Sequence, residues 1–178
     1  MIAGEAQGTR LGAVPEGTRP LSDRAREGLF SSLGPVVVSA RCADLFAGTG
    51  AIGIEALSRG AESCDFVDSS AASIRAIREN LSRTAFTDRA RVVRSEVERF
   101  LAGAEGELYD AVFMDPPHAL SSGRLGRILE ETRPHLRAGA TVVITRHKRD
   151  ATDVIPVNLQ VAKRLSYGDT RVLVLEAP

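Results

Sequence analysis

Asp44-Leu45-Phe46-Ala47-Gly48-Thr49-Gly50-Ala51-Ile52-Gly53 is a short apolar run that breaks on glycines and resumes in helix-forming residues. Glycines at 48 and 50 let a chain turn tightly between a strand and a helix and let its backbone approach a ligand. Gly48, Gly50 and Gly53 also satisfy G-x-G-x-x-G, the spacing of a dinucleotide-binding turn. The absence of a following Gly-Lys-Ser/Thr excludes a P-loop. Asp68 falls at the end of the next apolar run, where the ribose of a nucleotide or of S-adenosylmethionine would need a carboxylate. These residues define a cofactor cleft without naming the cofactor. Asp44 discriminates further: a carboxylate before the turn suits a ligand with a cationic amino group and would repel a pyrophosphate. Its alternative is a turn or capping role.

Outward from this stretch, apolar runs alternate with amphipathic ones, the pattern of βα units around a parallel sheet. Strands are expected at 41–46, 63–67, 90–94, 110–114 and 140–144. Helices are expected at 51–59, ending at Gly60, at 71–83, around Phe100 and Leu101, and at 125–132. At the end of the chain, 157–166 and 172–175 flank the turn-forming Tyr167-Gly168-Asp169-Thr170 and read as an antiparallel hairpin. Residues 1–20, rich in Gly and Pro, read as an irregular or hairpin extension. Ser22 or Asp23 then caps a helix through Leu29, Phe30 and Leu33. The organisation expected is an extension with a capping helix over 1–35, an RNA-facing candidate, followed by one α/β domain over 36–178.

A second motif, Asp115-Pro116-Pro117-His118, follows the apolar strand Ala111-Val112-Phe113-Met114. Two prolines fix their φ angles and remove backbone donors, leaving a stiff loop with free carbonyls. Asp115 and the Pro116 carbonyl then present two acceptors that fit a planar amino group with two N–H donors. Holding those hydrogens aims the nitrogen lone pair at an electrophilic methyl, which is catalysis by positioning. The His118 ring can stack on an unstacked base. Standing alone, the motif also fits a structural Pro-Pro loop. Here Gly48, Asp68 and Asp115 all fall at the carboxyl ends of strands, where open α/β sheets bind ligands.

Bulk composition narrows the class. The 178 residues fit one compact domain, 43% hydrophobic, with only 4% aromatics, so Val, Ile, Leu and Ala must build the core. No apolar run approaches the ~20 residues that span a bilayer, and residues 1–10 lack a signal-peptide pattern, so a cytoplasmic protein with no membrane partner is expected. Cys42 and Cys64 have no partner at ligand spacing and read as buried thiols, with no metal site. Basic and acidic residues balance at 23 each, mildly against a nucleic-acid binder. All the basic residues except Lys148 and Lys163 are arginine, which suits phosphate and base edges but also follows from G+C-rich codon usage.

These residues resemble the class I methyltransferases, and more narrowly the bacterial family that methylates guanine N2 in 16S ribosomal RNA. The likeness runs nearly end to end. It includes Gly17-Thr18-Arg19-Pro20, Asp23-Arg24-Ala25-Arg26-Glu27, Asp44 to Gly53, Glu55-Ala56-Leu57-Ser58-Arg59-Gly60-Ala61, Asp115-Pro116-Pro117 and Tyr167-Gly168-Asp169-Thr170. The resemblance implies a Rossmann-like, mostly parallel seven-stranded sheet with helices on both faces and an antiparallel last strand. It implies S-adenosylmethionine held at Asp44, Phe46, Gly48, Gly50 and Asp68, with Glu96 near the adenine. Asp115, Pro116, Pro117 and His118 would be catalytic, acting on 16S rRNA or a small-subunit assembly intermediate, in a monomer. Two departures stand out: His118 replaces the family's Tyr or Phe, and Thr145-Arg146-His147-Lys148-Arg149 stands where a carboxylate is usual. Arg146, Lys148 and Arg149 either bind RNA phosphates or form a solvated loop. Arg19, Arg24 and Arg26 are further RNA-facing candidates. Arg24 and Arg26 do not share a helix face, so one of them should be structural, for instance paired with Glu27. Rival readings are an adenine-N6 or glutamine-amide methyltransferase, a nicotinamide oxidoreductase, and a non-catalytic RNA-binding module.

Overall fold

The computed structural model describes residues 1–12, 21–104, 106, 108–150, 155–156 and 159–178. Seven strands form one sheet in the order β3-β2-β1-β4-β5-β7-β6. They are β1 (Arg41–Leu45), β2 (Ser63–Asp68), β3 (Ala90–Arg94), β4 (Tyr109–Met114), β5 (Leu136–His147), β6 (Gln160–Tyr167) and β7 (Thr170–Glu176). The first five run parallel, while β7 is antiparallel to both β5 and β6. The helices are α1 (Asp23–Leu33), α2 (Ala51–Ser58), α3 (Ala71–Thr84), α4 (Val97–Gly103) and α5 (Ser122–Thr132). The fold is thus the expected mostly parallel, methyltransferase-like sheet with a reversed last strand.

Its central strands are buried almost throughout, because helices cover both faces. Alternation splits the core into two layers. Cys42, Phe66, Phe113 and Val143 face α1, α2 and α3, whereas Leu45, Val67, Met114 and Ile144 face α4 and α5. Phe30 of α1 meets Phe113 of β4 with ring centroids 5.7 Å apart, so α1 shares the sheet's own core. Cys42 and Cys64 are buried free thiols in register on β1 and β2, as the sequence predicts.

The boundaries depart from expectation in instructive places. Strand β1 stops at Leu45 because Phe46 takes φ 66° and turns the chain out of the sheet. Ser22, rather than Asp23, caps α1, its hydroxyl accepting from the Ala25 amide at 3.3 Å. The largest difference is β5, expected over 140–144 and observed as Leu136–His147. Pairing with β7 continues to His147–Thr170, so the antiparallel neighbour holds as strand a charged stretch that reads as loop. Residues 1–12 form turns without a strand, and 13–20 lie outside the described residues, as do 157–158 of the expected sixth strand.

Candidate active site

The strand order reverses between β1 and β4, and the loops that leave their carboxyl ends open a cleft of about 1080 Å³. Its floor is the glycine-rich turn. Gly48 (φ 56°) and Gly50 (φ 77°) supply the left-handed backbone that turns β1 into α2. Gly50 itself serves as the α2 N-cap and does not line the cleft, which Phe46 and Gly48 do. Gly53 has a packing reason: a Cβ there would sit 2.5 Å from the Phe66 ring.

Carboxylates brace this turn. Asp68, at the end of β2, accepts from the Gly48 amide at 2.9 Å and from the Ser70 amide at 2.8 Å. Asp44 accepts from the Gly53 amide at 2.9 Å through Oδ2, while its Oδ1 is buried without a hydrogen-bond partner among the described residues. Burial, with Asp115 and Asp68 close by, pushes the Asp44 carboxyl well above its usual range. A second brace escaped the sequence reading. The Asn80 side chain, fully buried on α3, donates to the Thr49 carbonyl at 2.9 Å and accepts from the Gly12 amide at 2.7 Å. Glu96, also on the cleft wall, pairs with Arg124 at 3.2 Å.

Opposite lies the Asp-Pro-Pro-His loop. Met114 aligns with Ile144 in the parallel register, which sets Asp115 beside Thr145. The Thr145 hydroxyl donates to Asp115 Oδ1. Burial raises the Asp115 carboxyl above its usual range, opposed by this hydrogen bond and by the nearby His118. Pro116 is buried, whereas Pro117 and His118 are exposed at the cleft. His118 Nδ1 lies 3.6 Å from Asp150 Oδ2, and its ring meets His147 edge-on at 5.5 Å. Thr145 and Asp150 were missed because their roles depend on register and on a turn. The alternation of Val143 and Thr145 was the available signal.

The arginines divide. Arg24 is exposed near Ser22, which lines the cleft, and Lys148 and Arg149 are exposed in the turn after β5. Arg26 is a correction: it is only 6% exposed and pairs with Asp23 at 2.8 Å, with buried Glu55 at 4.0 Å, and not with Glu27. Arg146 is a second correction, 5% exposed, donating to the Leu120 carbonyl at 3.1 Å and lying 3.3 Å from Asp150. Both guanidinium groups are committed inside the protein rather than offered to a polynucleotide. Arg19 lies outside the described residues.

Comparison with known proteins adds four findings. A family model described as Conserved hypothetical protein 95 matches residues 1–176. A Bacillus subtilis protein, named as a candidate rRNA methyltransferase, is 42% identical over 121 residues, 66% of this chain and 66% of its own length. The ribosomal RNA small subunit methyltransferase D of Escherichia coli K12 is 43% identical over 134 residues, covering 74% of this chain and 63% of that protein. The alignments therefore span just under two thirds of these relatives. A solved structure from Escherichia coli, described as a candidate methyltransferase, superposes with a TM-score of 0.86 at 31% identity over 99% of this chain and 96% of that one.

Proposed function

The chain belongs to the family described as Conserved hypothetical protein 95, and from that premise we propose that it methylates the exocyclic N2 of a guanine in 16S rRNA. One observation carries the reading: Asp44 Oδ1, without a hydrogen-bond partner among the described residues, and the Asp115 carboxylate share a single cleft at the strand switch point. With Asp68, three carboxylates converge there, a field that favours a cationic ligand and opposes a pyrophosphate. That argues against the nicotinamide reading and fits S-adenosylmethionine, whose ammonium matches the buried Asp44 oxygen. Asp44, Phe46, Gly48 and Asp68 would hold it, with Glu96 toward the adenine. When bound, it supplies an electrophilic methyl group.

The protein's own part is positioning. Asp115 and the Pro116 carbonyl accept the two N–H groups of the flipped-out amine and turn its lone pair into the cleft. Pro117 keeps the loop stiff, and His118 walls one face of the base. Arg24, Lys148 and Arg149 supply phosphate contacts on the approach side, and Arg19 is a further phosphate-binding candidate. A ribosomal substrate belongs to the cytoplasm. Tritium transfer from S-adenosylmethionine to unmodified 16S rRNA, small subunits, DNA and protein in parallel tests the reading. Transfer to rRNA alone is expected, and Asp115→Ala should reduce it by ~100-fold or more while S-adenosylmethionine still binds. Full activity in that variant, or transfer only to DNA or protein, would overturn it.

A further inference from the structure

We infer that Thr145 is a positioning residue: its hydroxyl fixes the rotation of the Asp115 carboxylate and leaves Oδ2 as the oxygen presented to the substrate amine. The inference rests on the reading of Asp115 just proposed. Its basis is local geometry. Met114 and Ile144 pair in parallel register, and strand alternation places Asp115 and Thr145 on one face, above Phe113 and Val143. Thr145 is 1% exposed and, being β-branched, is stiff about χ1. It also lies on the β5–β7 ladder opposite Val172, so its backbone is held from the far side. A fixed hydroxyl therefore meets a carboxylate that otherwise has little to define its rotation. Asp115 Oδ1 accepts this donor, and no hydrogen-bond partner engages Oδ2 among the described residues.

Electrostatics agrees with the geometry. His118, from the same loop, is the titratable group whose charge bears on Asp115, and Asp115 in turn bears on Asp44 of the neighbouring strand. Burial opposes the ionisation of Asp115, while Thr145 and His118 support it. Removing the Thr145 hydroxyl must then raise the Asp115 pKa further, since a donor to the charged form is lost.

Thr145→Val removes the hydroxyl and keeps the β-branched shape, whereas Thr145→Ser keeps the hydroxyl. For transfer to unmodified 16S rRNA, Thr145→Val is expected to lose ~10- to 100-fold in kcat. Its affinity for S-adenosylmethionine should change less than about twofold, and the acid limb of its pH–rate profile should move to higher pH. Thr145→Ser should keep the wild-type profile. Carboxyl 13C NMR titration of Asp115, in wild type and both variants, needs no RNA turnover and thus separates this inference from the substrate assignment. An upward shift in Thr145→Val alone supports the contact even where rRNA is not the substrate. An unchanged Asp115 titration, or equal losses in the Val and Ser variants, overturns it.

Discussion

Asp44 carries two opposed demands. Its carboxyl is held well above the usual range by burial and by neighbouring carboxylates, so the folded state binds a proton more tightly than the unfolded chain. Folding stability is then greatest below the unfolded pKa and falls as pH rises toward the raised folded one. Asp44→Asn should remove that loss. Calorimetry near neutral pH should show a Tm higher by ~2–4 °C per kcal/mol recovered, with weaker S-adenosylmethionine binding. An unchanged Tm would mean that Asp44 is not strained by its surroundings. His118 makes a gentler demand. Its ring is 62% exposed, so His118→Tyr should hold or raise kcat if stacking is its role. A folded but inactive His118→Tyr would point instead to the pairing with Asp150. Asp44, Asp68 and Asp115 were legible because strand ends in this pattern have few other positions. Arg26 and Arg146 were misread because a formal charge carries no information on burial. The lack of a shared helix face marked one of Arg24 and Arg26 as structural, but the partner is Asp23 rather than Glu27.

Among the elements, α2 and β2 pack in direct contact at the glycine-rich turn. Gly53 lets the helix lie against Phe66 and Cys64, since an added Cβ would come within 2.5 and 2.8 Å of them. Gly53→Ala should therefore destabilise the protein by ~1–3 kcal/mol, read by denaturant unfolding. The same change would displace the glycine-rich turn, so cofactor affinity should fall with it. A variant as stable as wild type would show that α2 can slide freely. The third glycine of the G-x-G-x-x-G pattern is thus a packing residue, a role its spacing allows but does not prove. Strands β1 to β4 were readable within one or two residues because each is a short apolar run set between helices. β5 was not, since its ends are set by β7, distant in sequence, and its polar carboxyl end looks like loop until that partner is known. The edge strands were legible in kind: β6 carries Lys163 and Arg164, charges that discourage further pairing.

For the molecule as a whole, the sheet order places the cleft at the switch point between β1 and β4, and the strand-end positions of Gly48, Asp68 and Asp115 anticipated a ligand site there. They did not anticipate the route from the start of the chain to the cleft floor, because a buried amide on α3 gives no sign in sequence. Asn80 holds Gly12 with one end of its amide and the Thr49 carbonyl with the other. Two surfaces that meet a common side chain share a free energy, and such coupling is reciprocal. Filling the cleft with S-adenosylmethionine should slow hydrogen–deuterium exchange at the Gly12 amide, and Asn80→Ala should abolish that protection. Whatever factor the ligand gains from an ordered leading segment, the segment must gain in order from the ligand. An exchange rate at Gly12 indifferent to ligand would show the two ends uncoupled. If they are coupled, the first dozen residues act as a gauge of occupancy, their order registering from a distance whether the cleft is filled.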